Sequence, residues 1–274
     1  MPEIGIVEAR NIIRVIRQKY DYDFSQYSLP AFRFGLDRVI LRHHLRYPEL
    51  LVSRILEDEE FFDELLFDLN DAGVELFRDP ETWIALKTEI LPKLFETSDQ
   101  PSIWLPSVCS IQDIYSLLIL LNIEFPKMHL KVIASSYSEK MRGIVFKGEI
   151  SGKQVESGNE NFEKVFSKGE MRNFLIQVEK DFILNSKIFE QLTFIKQNLN
   201  FDPQPENIDM IIFRNMFLNY SPDLQKDVLE KLCSPLVRKG IFITGIKENI
   251  DDSIVKQSTL KKLNANEKFY IKES

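Results

Sequence analysis

The stretch IDMIIFRNMFLNYS, residues 208–221, sets four large apolar residues in a row, Met210 to Phe213, directly before Arg214 and Asn215. A short run apolar at consecutive positions suits a strand covered on both faces, because successive side chains of a strand point to opposite sides. Downstream, Ser221 and Pro222 predict a helix start, a hydroxyl N-cap followed by proline at the first helical position. Basic residues and a glycine at Arg238, Lys239 and Gly240 place the end of that helix there, and GIFITGI (240–246) reads as the next strand. Upstream, SIWLPSV (102–108) and HLKVIASS (129–136) read as strands, each followed by a helix, QDIYSLLILLN (112–122) and SEKMRGIVFKG (138–148).

Strands and helices in alternation predict an α/β fold, a doubly wound, mostly parallel sheet, with ligands bound at the carboxyl ends of the strands. The stretch at about 150–200 mixes glycine, charge and short β-like runs such as FLIQV, and is expected to be an inserted subdomain within a domain spanning 71–274. Residues 1–70 carry apolar positions at helical spacing, among them Ile12, Ile13 and Ile16, and predict a small all-α domain ahead of the sheet.

Composition narrows the function classes. The 274 residues are 44% hydrophobic and 28% charged, and no apolar run approaches the roughly 20 residues of a membrane span. The start MPEIGIVEARNIIRVIRQKY lacks the apolar core of a secretory signal, so a cytoplasmic protein is expected. Cys109 and Cys233 stand far apart, and His43, His44 and His129 have no ligand spacing, so no metal is expected. A net charge of −7 disfavours a nucleic-acid partner. One basic series stands out: Arg33, Arg38, Arg42 and Arg46, the last three at helical spacing on one face. It reads either as a solvated face or as a dock for an acidic helix.

Four collinear stretches resemble the chemotaxis-receptor glutamate methyltransferases of the CheR type. They are GVELFRDPETW (73–83), IWLPSVCSIQDIYSLLILL (103–121), FIKQNLNF (194–201) and IDMIIFRNMFLNYS with LVRKGIFITGIKE (236–248). The resemblance implies a class I S-adenosylmethionine methyltransferase fold, S-adenosylmethionine or S-adenosylhomocysteine as cofactor if the chain is active, and an acidic helix of a chemoreceptor or other signalling protein as partner. It also implies cofactor contacts from Arg78, Asp113, Asn198, Leu199 and Asn215, while a purely structural use of these side chains stays open.

The departures from the family pattern fall on the cofactor side. Ser107 and Ile111 stand at glycine positions, and a β-branched residue resists the positive φ such a turn uses. Ser136 stands where an aspartate receives the ribose, with Glu139 the nearest acidic substitute. Val74 and Pro106 further alter the site, and Asn219 takes the place of a tyrosine, with Tyr220 beside it. Methyl transfer to an ionised glutamate needs positioning rather than a base, so activity turns on the pocket. The expectation is a CheR-like signalling protein with weak or lost methyl transfer that acts by protein binding; the alternative is an active protein-glutamate O-methyltransferase.

Overall fold

A computed structural model describes residues 4–45, 47–70, 75–107, 110–166, 171–199, 201–263 and 268–273. Four helices come first: α1 (Ile6–Tyr20), α2 (Leu29–Arg42), α3 (Pro48–Glu57) and α4 (Glu59–Asn70). Their apolar stripes meet in a core of their own, in which Ile12, Ile16, Leu36, Val39, Leu51, Ile55 and Leu65 are buried. Then α5 (Pro80–Ala85), a π-helical turn at Leu86–Ile90 and α6 (Leu91–Thr97) lead into β1 (Ser102–Leu105) and α7 (Ile111–Glu124). Next come β2 (Lys131–Ser136), α8 (Glu139–Lys147), β3 (Glu149–Ile150), α9 (Gly152–Val165), β4 (Leu175–Val178), β5 (Asp181–Leu184) and β6 (Leu192–Lys196). The chain closes with β7 (Ile208–Ile212), α10 (Pro222–Cys233), β8 (Leu236–Ile243), α11 (Asp252–Gln257), β9 (Leu260–Lys262) and β10 (Phe269–Lys272).

Seven strands form the main sheet in the order β6-β2-β1-β7-β8-β10-β9, parallel from β6 to β8 and antiparallel at β10 and β9. The strand alternation is legible in the burial. Ile103, Leu105, Val132 and Met210 enter one core with α7, whereas Trp104, Ile133, Ile211 and Phe242 enter the other with Val228 and Leu232 of α10. The fold is the doubly wound α/β sheet. The strand order turns between β1 and β7, which puts the ligand crevice outside their carboxyl ends. A second sheet, β3-β5-β4, sits beside α9, whose start is fixed by a capping box between Ser151 and Gln154.

Two local expectations are corrected. The helix begun at Ser221 ends at Cys233 instead of near Gly240, because Pro235 has no N–H with which to prolong the ladder. Arg238, Lys239 and Gly240 therefore belong to β8, with Lys239 at a left-handed φ of 64°. Within the 150–200 stretch, Leu192–Lys196 is β6, an edge strand of the main sheet paired along β2, so the interruption of the sheet ends before it.

Candidate functional site

At the carboxyl ends of β1 and β7 the charged residues of the motifs hold one another. Arg214, 2% exposed, donates to Asp113 at 2.9 Å and to Asp79 at 2.7 Å, and also to the Arg78 carbonyl at 3.1 Å. The same carbonyl accepts from the Trp83 indole, over which the guanidinium lies. Burial raises the pKa of Asp113, while Arg214 and Arg78 pull it down. One turn on, the buried Glu248 accepts backbone N–H groups from Asn215 at 2.8 Å, from Phe217 at 2.6 Å and from Gly245. Asn215 takes a left-handed φ of 65°, and a side-chain carbon on Gly245 would lie 2.5 Å from its Oδ1, so glycine is required there. Burial also raises the pKa of Glu248, foremost among its causes.

Around the end of β2 lies a cavity of a different character, lined by Ser136, Tyr137, Gln197, Asn198, Tyr22 and Tyr220 among others. Its volume is about 60 Å³. The helical segment closes it: the Ser28 N–H donates to the Asn219 carbonyl at 2.7 Å, and the Ser221 N–H to the Gln26 carbonyl at 2.9 Å. These bonds set the Tyr27 ring edge-on to Tyr220 at 5.1 Å, and Tyr22 packs edge-on to Tyr137 at 5.3 Å. Burial raises the pKa of the Tyr22 phenol and pushes that of Tyr27 well above its ordinary value. The Ser136 hydroxyl accepts the Ser138 N–H at 3.3 Å. Gln197 donates to the Pro203 carbonyl at 2.9 Å, while its buried Oε1 has no partner.

The residues singled out in the sequence are thus divided between two places. Arg78, Asp113 and Asn215 belong to the network around Arg214 and Glu248, whereas Asn198 and Leu199 line the cavity. Ile111 needs correction. It is the first residue of α7, behind the Ser110 N-cap, and is buried in the core, so it neither strains the turn nor lines the cavity. Among the described residues of that turn, Ser107 is left-handed, at φ 48°. Glu139 does not replace the missing aspartate, since it is exposed and pairs with Arg142 at 3.4 Å.

The arginines of α2 are also engaged within the helical segment. Arg33 donates to the Ile4 carbonyl at 2.6 Å, Arg38 to the Asp68 carbonyl at 3.1 Å, and Arg42, though exposed, binds the buried Asp68 carboxylate; Arg46 lies outside the described residues. Tyr22, Tyr27, Tyr137 and Gln197 escaped the reading of the sequence. The tyrosine spacing in YDYDFSQY (20–27) was the available signal, but only the fold brings that segment onto β2.

Residues 74–267 match the model of the CheR methyltransferase S-adenosylmethionine-binding domain. The protein named Cher3 of Pseudomonas putida is 24% identical over 247 residues, covering 90% of both chains, and a chemotaxis protein methyltransferase of Listeria innocua is 21% identical over 86% of this chain and 88% of its own. Among solved structures, the magnesium protoporphyrin IX methyltransferase of Synechocystis covers 82% of this chain and 99% of its own at 12% identity and a TM-score of 0.40. The N-methyltransferase NodS of Bradyrhizobium japonicum covers 73% and 100% at 8% and 0.37. The matched residues take in the Arg214 network and the sheet side of the cavity, and the chain belongs to the CheR methyltransferase family.

Proposed function

We propose that this CheR-type protein serves bacterial chemotaxis or related signalling with weak or lost methyl transfer, and acts by binding an acidic helix of a chemoreceptor or of another signalling protein. The observation that carries the reading is the cavity at the end of β2. The family's methyl donor is S-adenosylmethionine, and pockets for molecules of that size have volumes of about 300–1,000 Å³. The residues present do not fit it. The cavity holds about 60 Å³ between tyrosines packed edge-on, and Ser136 offers a single neutral hydroxyl whose oxygen already accepts the Ser138 N–H. A charge-assisted bond contributes about 1.5–3 kcal/mol, so the loss of a carboxylate alone weakens binding by tenfold or more.

Protein binding is supported by the outer face of α2. Phe34, 66% exposed, and Leu41, 51% exposed, flank Arg38, which stacks on the Phe34 ring, and the exposed Arg42 follows. An apolar strip with basic margins suits an amphipathic acidic helix better than it suits water. Titration calorimetry with S-adenosylhomocysteine tests the reading: no heat at millimolar ligand is expected, and a dissociation constant in the micromolar range overturns it. One observation favours active transfer as a second reading. The unpartnered Gln197 Oε1 beside Asn198 is an acceptor waiting for a donor, and opening of the helical segment would expose it to an amino group.

A further inference from the structure

We propose that the basic groove at the amino ends of the main sheet, formed by β8, β9 and β10, is a docking site for an extended acidic segment of a partner protein. The groove has a volume of about 390 Å³ and is lined by Arg238, Lys239, Lys261, Lys262, Leu263 and Ile271 among others. In a chain with net charge −7, this is a local reversal of sign. Lys262 is paired with Asp252 at 2.8 Å and Lys261 with Glu273 at 3.6 Å, and the Lys272 ammonium is turned inward onto the Cys233 and Leu236 carbonyls. Arg238 and Lys239 are left to set the charge of the rim, both exposed to solvent.

Lysines on an edge strand such as β9 have an ordinary use, since they discourage sheet-to-sheet association. That use does not cover Arg238 and Lys239, which stand on an inner strand. They are thrown outward by a bulge: Ile208 faces Leu236 and Met210 faces Ile241, so β8 carries extra residues between these pairs. Within it Lys239, not the neighbouring Gly240, takes the left-handed φ of 64°. A bulge that re-aims side chains, with a strained non-glycine residue at its tip, is a feature held in place by the surrounding structure at a cost in stability. The floor of the groove is apolar, with Leu263 46% exposed beside Ile271. A segment alternating acidic and apolar residues and lying in the groove meets both features, with apolar contacts to the floor and charge pairing to the bulge. The groove lies at the opposite end of the strands from the cavity, so the proposal holds whether or not a methyl group is transferred.

Fluorescence anisotropy on the full chain provides the test, with a fluorescein-labelled ten-residue peptide alternating glutamate and valine. Micromolar binding is expected, weakened about tenfold in the double variant Arg238→Glu, Lys239→Glu and weakened again by raising the salt. The single variant Lys239→Gly, which relaxes the left-handed backbone, is expected to melt higher yet bind about threefold more weakly, which separates loss of the site from loss of the fold. Unchanged binding in the double variant, or equal binding of a peptide with lysine in place of glutamate, overturns the proposal. So does tighter binding of phosphatidylserine vesicles or duplex DNA through the same two residues.

Discussion

The ends of β7 and β2 lie on either side of β1 and have been treated in opposite ways. At β7 the motif side chains are charged and tied to one another or to the backbone: Arg214 between Asp79 and Asp113, Glu248 beneath three backbone N–H groups. At β2 the side chains are neutral serines and tyrosines, and a small cavity is left. The difference teaches that retention of the charged motifs reports on the scaffold. Arg214, Asp113 and Glu248 hold the strand ends in place whether or not a cofactor is bound, so their presence says little about transfer.

Breaking the β7 side is expected to cost most. Arg214→Met leaves Asp79 and Asp113 buried without their partner, and urea unfolding should show a loss of about 3–5 kcal/mol. A stability close to wild type would mean that the network is ornamental. Glu248→Gln should cost about 2 kcal/mol by removing a charged acceptor from the N–H groups, and it should change the pH dependence. The folded pKa of Glu248 is raised by burial, so the folded chain holds this proton longer than the unfolded chain. As pH rises from the ordinary carboxylate pKa through the raised value, the group contributes a fall in stability. The variant should flatten that part of the urea profile, and an unchanged slope would contradict the assignment.

On the β2 side the expected effects are smaller and concern ligand. Ser136→Asp restores a carboxylate, yet alone it should improve S-adenosylhomocysteine affinity by less than about threefold, because the tyrosines still occupy the space. Together with Tyr27→Ala the gain should reach about tenfold, or about 1.4 kcal/mol. Micromolar affinity from Ser136→Asp alone would show that charge, not volume, closes the site. The smallest effect is expected at β1. Ser107→Gly relieves a left-handed serine and should raise stability by about 1 kcal/mol in thermal melts.

The sheet was legible because its strands are fully buried and read as unbroken apolar runs, and because Ser221-Pro222 and the apolar positions of α7 announce helices locally. β6 was harder to read. Thr193 and Lys196 are exposed on an edge strand, so Leu192–Lys196 lacks the two-sided apolar signature of an inner one. The end of α10 was misread because a basic run before glycine is equally compatible with a helix terminus and with a bulged strand.

The order of the motifs along the chain determined the family and the fold class, since these are properties of residue identity and spacing. Only the tertiary structure decided what the motif residues touch. Ile111, alarming at a glycine position, is a core residue because the helix begins with it, behind the Ser110 N-cap. Arg33, Arg38 and Arg42, which share a helix and a charge, are turned to Ile4 and Asp68 by the packing of α2 against the chain ahead of α1 and against α4, Arg38 taking the Asp68 carbonyl and Arg42 its carboxylate. Tyr22 and Tyr27 close the cavity although about 110 or more residues separate them from Ser136 in sequence. Contacts of that range depend on how two separately buried cores meet, and no local pattern of residues encodes that meeting.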